Sequence, residues 1–153
     1  MSEAADSSRM VEVGGKEVTD REAVAECVVR MSGKTVARLV EGTPKGNPME
    51  AARIAGLLAA KRTPELLPFC HPVALTGMEV SVDPQPDQDR VVVRATVRAR
   101  DRTGVEMEAL TACAVASLSI YDTAKGFERS ASITDLRLLE KRGGAGGEYR
   151  AAT

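Results

Sequence analysis

Apolar and polar residues change period several times along the chain, and each change marks an element. After an extended stretch at residues 10–13 and the turn Gly14-Gly15, the string Thr19-Asp20-Arg21-Glu22 has the form of a capping box, with Thr at the N-cap and Glu at N3. Ala23, Val24, Cys27, Val28 and Met31 then recur at helical spacing, which predicts a helix with one buried face. A shorter helical piece is expected over residues 35–41, ahead of the loop 42–46. Asn47-Pro48-Met49-Glu50 opens another helix, with Asn at the N-cap, Pro at N1 and Glu at N3. It runs to about Lys61 and is rich in Ala and Leu on most faces, the pattern of a well-buried helix. Pro64, Pro68 and Pro72 make residues 63–72 a stiff, irregular connection.

Strict alternation is clearest over residues 90–100. Val91, Val93, Ala95, Val97 and Ala99 face one way, while Arg94, Thr96, Arg98 and Arg100 fall mostly on the other. With a strand at 73–83 and a turn at 84–87, this segment makes a hairpin. A turn at 101–104 leads to a long helix over about 106–125, stopped near Gly126, and a last strand covers 131–139. Strand, helices, strand, strand, helix, strand is the order of a ferredoxin-like split βαβ unit with additional helices. It predicts an α+β fold with an antiparallel sheet, helices on one face, and the Arg94, Arg98 and Arg100 side available to a partner. Residues 1–9 read as a disordered leader, 10–142 as a single domain and 143–153 as a flexible glycine-rich tail.

Composition narrows the class. The chain has 153 residues, enough for one core, and 43% of them are hydrophobic, which removes disorder as an explanation. The leader lacks the apolar core of a secretory signal and the basic character of a transit peptide, so a cytoplasmic protein is expected. A net charge of -1 and an aromatic content of 3%, without Trp, argue against a nucleic-acid binder. The three cysteines are odd in number and widely spaced, which fits a reducing compartment better than a disulfide framework. One histidine and the lack of a CxxC pair leave no basis for a structural zinc site.

His71, the only imidazole, lies in Phe69-Cys70-His71-Pro72 within the proline-stiffened connection, where it can serve as acid, base or phosphate donor. Cys70 reads as packing rather than as a nucleophile, since no second histidine is present to activate it. On the long helix, Glu108, Thr111, Val115, Leu118, Asp122 and Lys125 share one face, charged at both ends and apolar between them. Glu108 and Asp122 stand about 21 Å apart at 1.5 Å per residue, too far to meet one small reacting centre. If both ends serve one site, that site combines helix ends from two subunits. Lys45, Arg53, Lys61, Arg62 and Lys125 gather near the same segments and suggest an anionic, phosphorylated ligand. The glycines of 143–147 offer a backbone cradle for phosphate, although a loose tail is the default reading.

Several long strings resemble the MoaC family of cyclic pyranopterin monophosphate synthases. They are Lys45-Gly46-Asn47-Pro48, AARIAGLLAAKRTPELLPFCHPVALTGMEV at 51–80, DRTGVEMEALTACAVASLSIYDTAKGFERS at 101–130, and LRLLEKRGG at 136–144. The resemblance implies a ferredoxin-like fold with added helices, assembled as a hexamer of three dimers. It implies conversion of a cyclic dihydroguanosine triphosphate into a pyranopterin carrying a cyclic phosphate, with release of diphosphate, early in molybdenum cofactor biosynthesis. Asp122 and Lys125 would be catalytic, with His71 beside them. Phe69, Cys70, His71, Met107 and Glu108 would line the substrate site, with Lys45, Lys61, Arg53 and Glu106 as further contacts. No resident cofactor or metal is implied, and a magnesium ion accompanying the triphosphate is compatible with this. The chain departs from the family pattern at Glu12, usually Asp, at Thr123, usually Met, and at Ala145 and Gly146, where the family carries Lys and Ser.

Two other readings compete. An RNA-binding ferredoxin-like sheet would carry stacking aromatics on its central strands, and residues 91–100 have none. A non-catalytic nucleotide-binding relative with altered C-terminal phosphate contacts is the alternative that the changed tail suggests.

Overall fold

The computed structural model describes residues 8–152, so most of the expected leader lies outside the described residues. In chain order the elements are β1 (Thr19–Arg30), α1 (Gly33–Glu41), α2 (Pro48–Lys61), the short α3 (Thr63–Leu66), β2 (Leu75–Gln85), β3 (Arg90–Asp101), α4 (Glu106–Ala124), β4 (Ser132–Arg142) and β5 (Tyr149–Arg150). The strands form one antiparallel sheet in the order β2-β3-β1-β4-β5. Without β5, that order is the split βαβ arrangement, so the expected α+β, ferredoxin-like class is borne out.

The first predicted helix is a strand. Residues 19–30 hydrogen-bond to β3 along their whole length and to β4 on the other side. Arg21, Ala23, Ala25, Cys27 and Val29 are buried with period two, and Val28 is buried beside them. A helical set and an alternating set of apolar residues coexist in this segment, and the pairing of two neighbours selects the second. The apparent capping glutamate, Glu22, instead accepts from Arg98 Nε across the sheet at 2.9 Å.

The other helices form as their end signals require. Asn47 Oδ1 accepts from the backbone N–H groups of Met49 and Glu50, and Pro48 occupies the first turn of α2. The Ser32 hydroxyl caps α1 by accepting from Thr35 N–H. In α4, Ala109, Ala112, Cys113, Ala116, Ile120 and Ala124 are buried. This mostly small face lets the helix settle close onto Ala23, Ala25, Val93, Ala95 and Val97 of the sheet.

The opposite sheet face is a lattice of ion pairs. Arg94 meets Glu26 at 2.6 Å, Arg98 meets Glu22 and Glu79, and Arg100 meets Asp20 at 2.9 Å. The arginines expected to await a partner therefore already have carboxylate neighbours within the chain. Beyond β4, Gly143, Gly144 and Gly147 adopt positive φ and turn the chain back, and Ala151 N–H reaches the Leu139 carbonyl at 2.8 Å. The glycine-rich segment thus carries a short fifth strand, β5, which the sequence did not signal.

Candidate functional site

The site is organised by the packing of α2 against α4. At their contact Gly56 has no side chain. A Cβ there would stand 3.1 Å from the Ala112 carbonyl oxygen and 3.3 Å from the Ala116 Cβ. The loop before α2 carries Lys45, which shares a cleft with Asp122 near the C-terminal end of α4. The loop after α3 carries Cys70, which touches Glu108 near the N-terminal end of α4. The helices therefore run antiparallel, and the candidate residues fall into two groups at opposite ends of the pair.

At the N-terminal end of α4, the Cys70 Sγ donates to Glu108 Oε2 at 3.5 Å. Glu108 is only 2% exposed, and its Oε1 has no hydrogen-bond partner. Burial pushes its carboxyl above the usual range, and the charge of Glu106 adds to this, while hydrogen bonds, including that from Cys70, oppose it. Burial, followed by the adjacent Glu108, pushes the Cys70 thiol up to about 11. At neutral pH it is a thiol donor and not a thiolate nucleophile. His71 is half-buried beside them, and Phe69 and Met107 present exposed apolar surface. Cys70 and Glu108 thus meet here, with Phe69, His71, Glu106 and Met107 adjacent to them in the chain.

At the C-terminal end, Lys125 Nζ lies 2.7 Å from Asp122 Oδ1, three residues apart on the exposed side. The hydrogen bond from Lys125, then its charge, then that of Lys45 hold Asp122 below the ordinary carboxylate range. Thr43, Pro44 and Lys45 form one wall of a cleft of roughly 640 Å³, and Tyr121, Asp122, Lys125, Phe127 and Arg129 form the other. The remaining two candidates lie on α2. Lys61 is exposed in its last turn. The Arg53 Nε donates to the Val80 carbonyl at 3.2 Å, and its guanidinium pairs with Glu50, so it also fastens α2 to β2.

A further cleft, of roughly 520 Å³, opens at the start of β1 against the glycine-rich segment, and Glu106 joins it to the first group. It contains Lys16, Arg21 and Lys141, none of which sequence reasoning singled out. Arg21 is 9% exposed and uses its Nε on the Asp101 carbonyl at 3.3 Å. The signal was present but misassigned: read as a strand, Arg21 alternates with Ala23, Ala25 and Cys27 and is an arginine on a buried face. Among the described residues, no group of three or more His, Cys, Asp or Glu side chains is arranged to hold a metal ion. No helix there is long and apolar enough to cross a membrane.

Several known proteins are similar to the chain over most of its length. A protein of Rhodospirillum rubrum named cyclic pyranopterin monophosphate synthase is 48% identical over 151 residues, covering 98% of this chain and 91% of the relative. One of the same name from Pelotomaculum thermopropionicum is 51% identical over 143 residues, covering 93% and 84%. Another, from Chloroflexus aurantiacus, is 46% identical over 149 residues, covering 97% and 91%. The family model described as MoaC matches residues 10–144, which includes both groups of candidate residues and the strands β1 to β4 behind them; the chain belongs to the MoaC family.

Proposed function

We propose that this chain is a lyase that converts a 3′,8-cyclised dihydroguanosine triphosphate into cyclic pyranopterin monophosphate and diphosphate, the reaction after which its relatives are named. The observation that carries the reading is the cleft in which Asp122, Lys125 and Lys45 meet, in a chain about half identical to those synthases over nearly its full length.

Each group has a task that suits its surroundings. Asp122, kept ionised by two lysines, acts as the base in the proton transfers that open and reclose the rings. Lys125 returns protons or clamps phosphate, and His71 donates to the substrate from the other group. A hydroxyl of the rearranged sugar attacks the α-phosphorus while the bond to the β-phosphate breaks. The negative charge that leaves with diphosphate is met by lysine and arginine. Arg21, Lys16 and Lys141 extend that positive surface beside Glu106, in the cleft that Gly144, Ala145 and Gly146 also line. Phe69, Cys70, Met107, Glu108, Lys61 and Arg53 complete the substrate contacts. The reading calls for no resident cofactor, and a magnesium ion accompanying the triphosphate is compatible with it.

Geometry favours a site shared between subunits. The two groups lie at opposite ends of one helix, and each alone has half of the required chemistry. Between them Ile54, Leu58 and Leu118 are each at least half exposed, an apolar surface suited to contact with another copy. We place the shared site in a homohexamer built as three dimers, working in the cytoplasm. The test is incubation of the purified protein with the cyclic triphosphate and measurement of diphosphate and pterin. Asp122→Asn and Lys125→Ala should each lose at least ~100-fold in turnover and keep the oligomer. Near-native rates in either variant would remove these roles, and no turnover by the wild type would favour a non-catalytic nucleotide binder.

A further inference from the structure

Glu128 lies outside every group described so far, yet it makes the densest set of long-range polar contacts near the Asp122 cleft. Its Oε1 accepts from the Ser32 backbone N–H at 3.0 Å and from the Thr35 hydroxyl at 2.7 Å. Its Oε2 accepts from the same Ser32 N–H at 3.3 Å and from the Ser130 hydroxyl at 3.5 Å. The Glu128 backbone N–H bonds to the Ala124 carbonyl at 2.8 Å, which locks it to the end of α4 three residues beyond Lys125. Thr35 is buried in the first turn of α1, so the carboxylate joins two segments more than 90 residues apart in sequence.

These two segments supply the opposing walls of the cleft. α1 ends at Glu41 and delivers the turn that carries Lys45, whereas α4 delivers Asp122 and Lys125. A second brace lies farther along α1, where the Arg38 guanidinium covers the Phe127 ring at 4.8 Å from its centroid. That contact is on the exposed side, whereas the Glu128 contacts reach the buried Thr35.

We propose that Glu128 is a positioning residue, whose carboxylate fastens the segment after α4 to the start of α1 and so holds Lys45 in place opposite the Asp122–Lys125 pair. This rests on the reading of Asp122 as the base. A carboxylate that only capped α1 would support the helix and leave the cleft chemistry alone. One that sets the spacing of the two walls also sets how strongly Lys45 acts on Asp122. The groups that bear on Asp122 are Lys125 from its own helix and Lys45 from the opposite wall, while Arg129 lines the same cleft. Loosening Lys45 removes part of the positive field that keeps Asp122 ionised. Its protonation then moves to higher pH, and the acid limb of the rate profile moves up with it.

The experiment compares Glu128→Ala, Glu128→Gln and Thr35→Val with wild type in kcat, KM, the acid limb of the pH–rate profile and Tm. Glu128→Ala should lower kcat about tenfold, since sub-ångström displacement of positioned groups is costly, and should shift the acid limb upward. Glu128→Gln retains an oxygen that accepts from Ser32 and Thr35, so it should restore most of the rate and return the limb toward its wild-type position. Thr35→Val removes the shortest of the contacts and keeps the charge. It should move both quantities in the direction of Glu128→Ala, and it is decisive if that variant fails to fold. A lowered Tm with unchanged kcat and unchanged acid limb, in Glu128→Ala or in Thr35→Val, would overturn the proposal. The underlying reading fails separately, through activity retained by Asp122→Asn.

Discussion

Pairing His71→Ala with Asp122→Asn tests the division of the site between subunits. Each substitution cripples one half-site and leaves the other intact, and neither lies in the buried core. The 14 residues from Glu108 to Asp122 place the halves about 21 Å apart on one helix at 1.5 Å per residue. Acid, base and donor must act within hydrogen-bond reach of one ring system, so a single chain cannot bring both halves to it. In oligomers assembled at random from equal amounts of the two variants, a given site receives an intact His71 half the time and an intact Asp122 half the time. About one site in four is then wholly intact, which predicts ~25% of wild-type activity from two nearly inactive parents. Co-expression with two affinity tags, tandem purification and a diphosphate-release assay give the reading. Mixed oligomers no more active than either parent would refute the shared site and require both halves to act within one chain.

Two other predictions follow from particular contacts. Native thiol labelling should be slow everywhere, because Cys113 is pushed up to about 12, Cys27 is raised and Cys70 stands at about 11. Glu108→Gln removes the negative neighbour of Cys70, so iodoacetamide should modify Cys70 several-fold (~3–10) faster in this variant at pH 8, read by mass spectrometry; an unchanged rate would mean that burial alone raises the thiol. Gly144→Ala should lower stability by about 1–3 kcal/mol in urea unfolding, because Gly144 has φ +80 and a Cβ there would fall 1.8 Å from Arg21 Nη1; an unaffected midpoint would mean that the glycine-rich turn does not hold the conformation described.

The end signals of α2, the alternation of β3 and the extent of α4 were legible from the sequence because each depends on neighbours a few residues away. Asn47 caps with its own side chain, and Val91 to Ala99 alternate whatever lies beside them. β1 was not legible in that way. Its apolar residues satisfy both periods, and what makes it a strand is hydrogen bonding to β3 and β4, which lie roughly 70 and 110 residues later. Misreading it hid Arg21, whose burial depends on the same pairing. β5 likewise depends on the edge that β4 offers to a segment with no strand signal of its own.

The candidate residues divide along the same line. Phe69, Cys70, His71, Met107, Glu108, Asp122 and Lys125 could be listed from motifs, and the helical rise alone separated Glu108 from Asp122. That Cys70 covers Glu108, that Lys45 faces Asp122 and that Glu128 joins α1 to the end of α4 could not be read from the chain. Local preferences are written in adjacent residues, and they specify which elements form. The distances between charged groups on different elements, and hence their protonation, arise only when α2 packs against α4 and both close over the sheet.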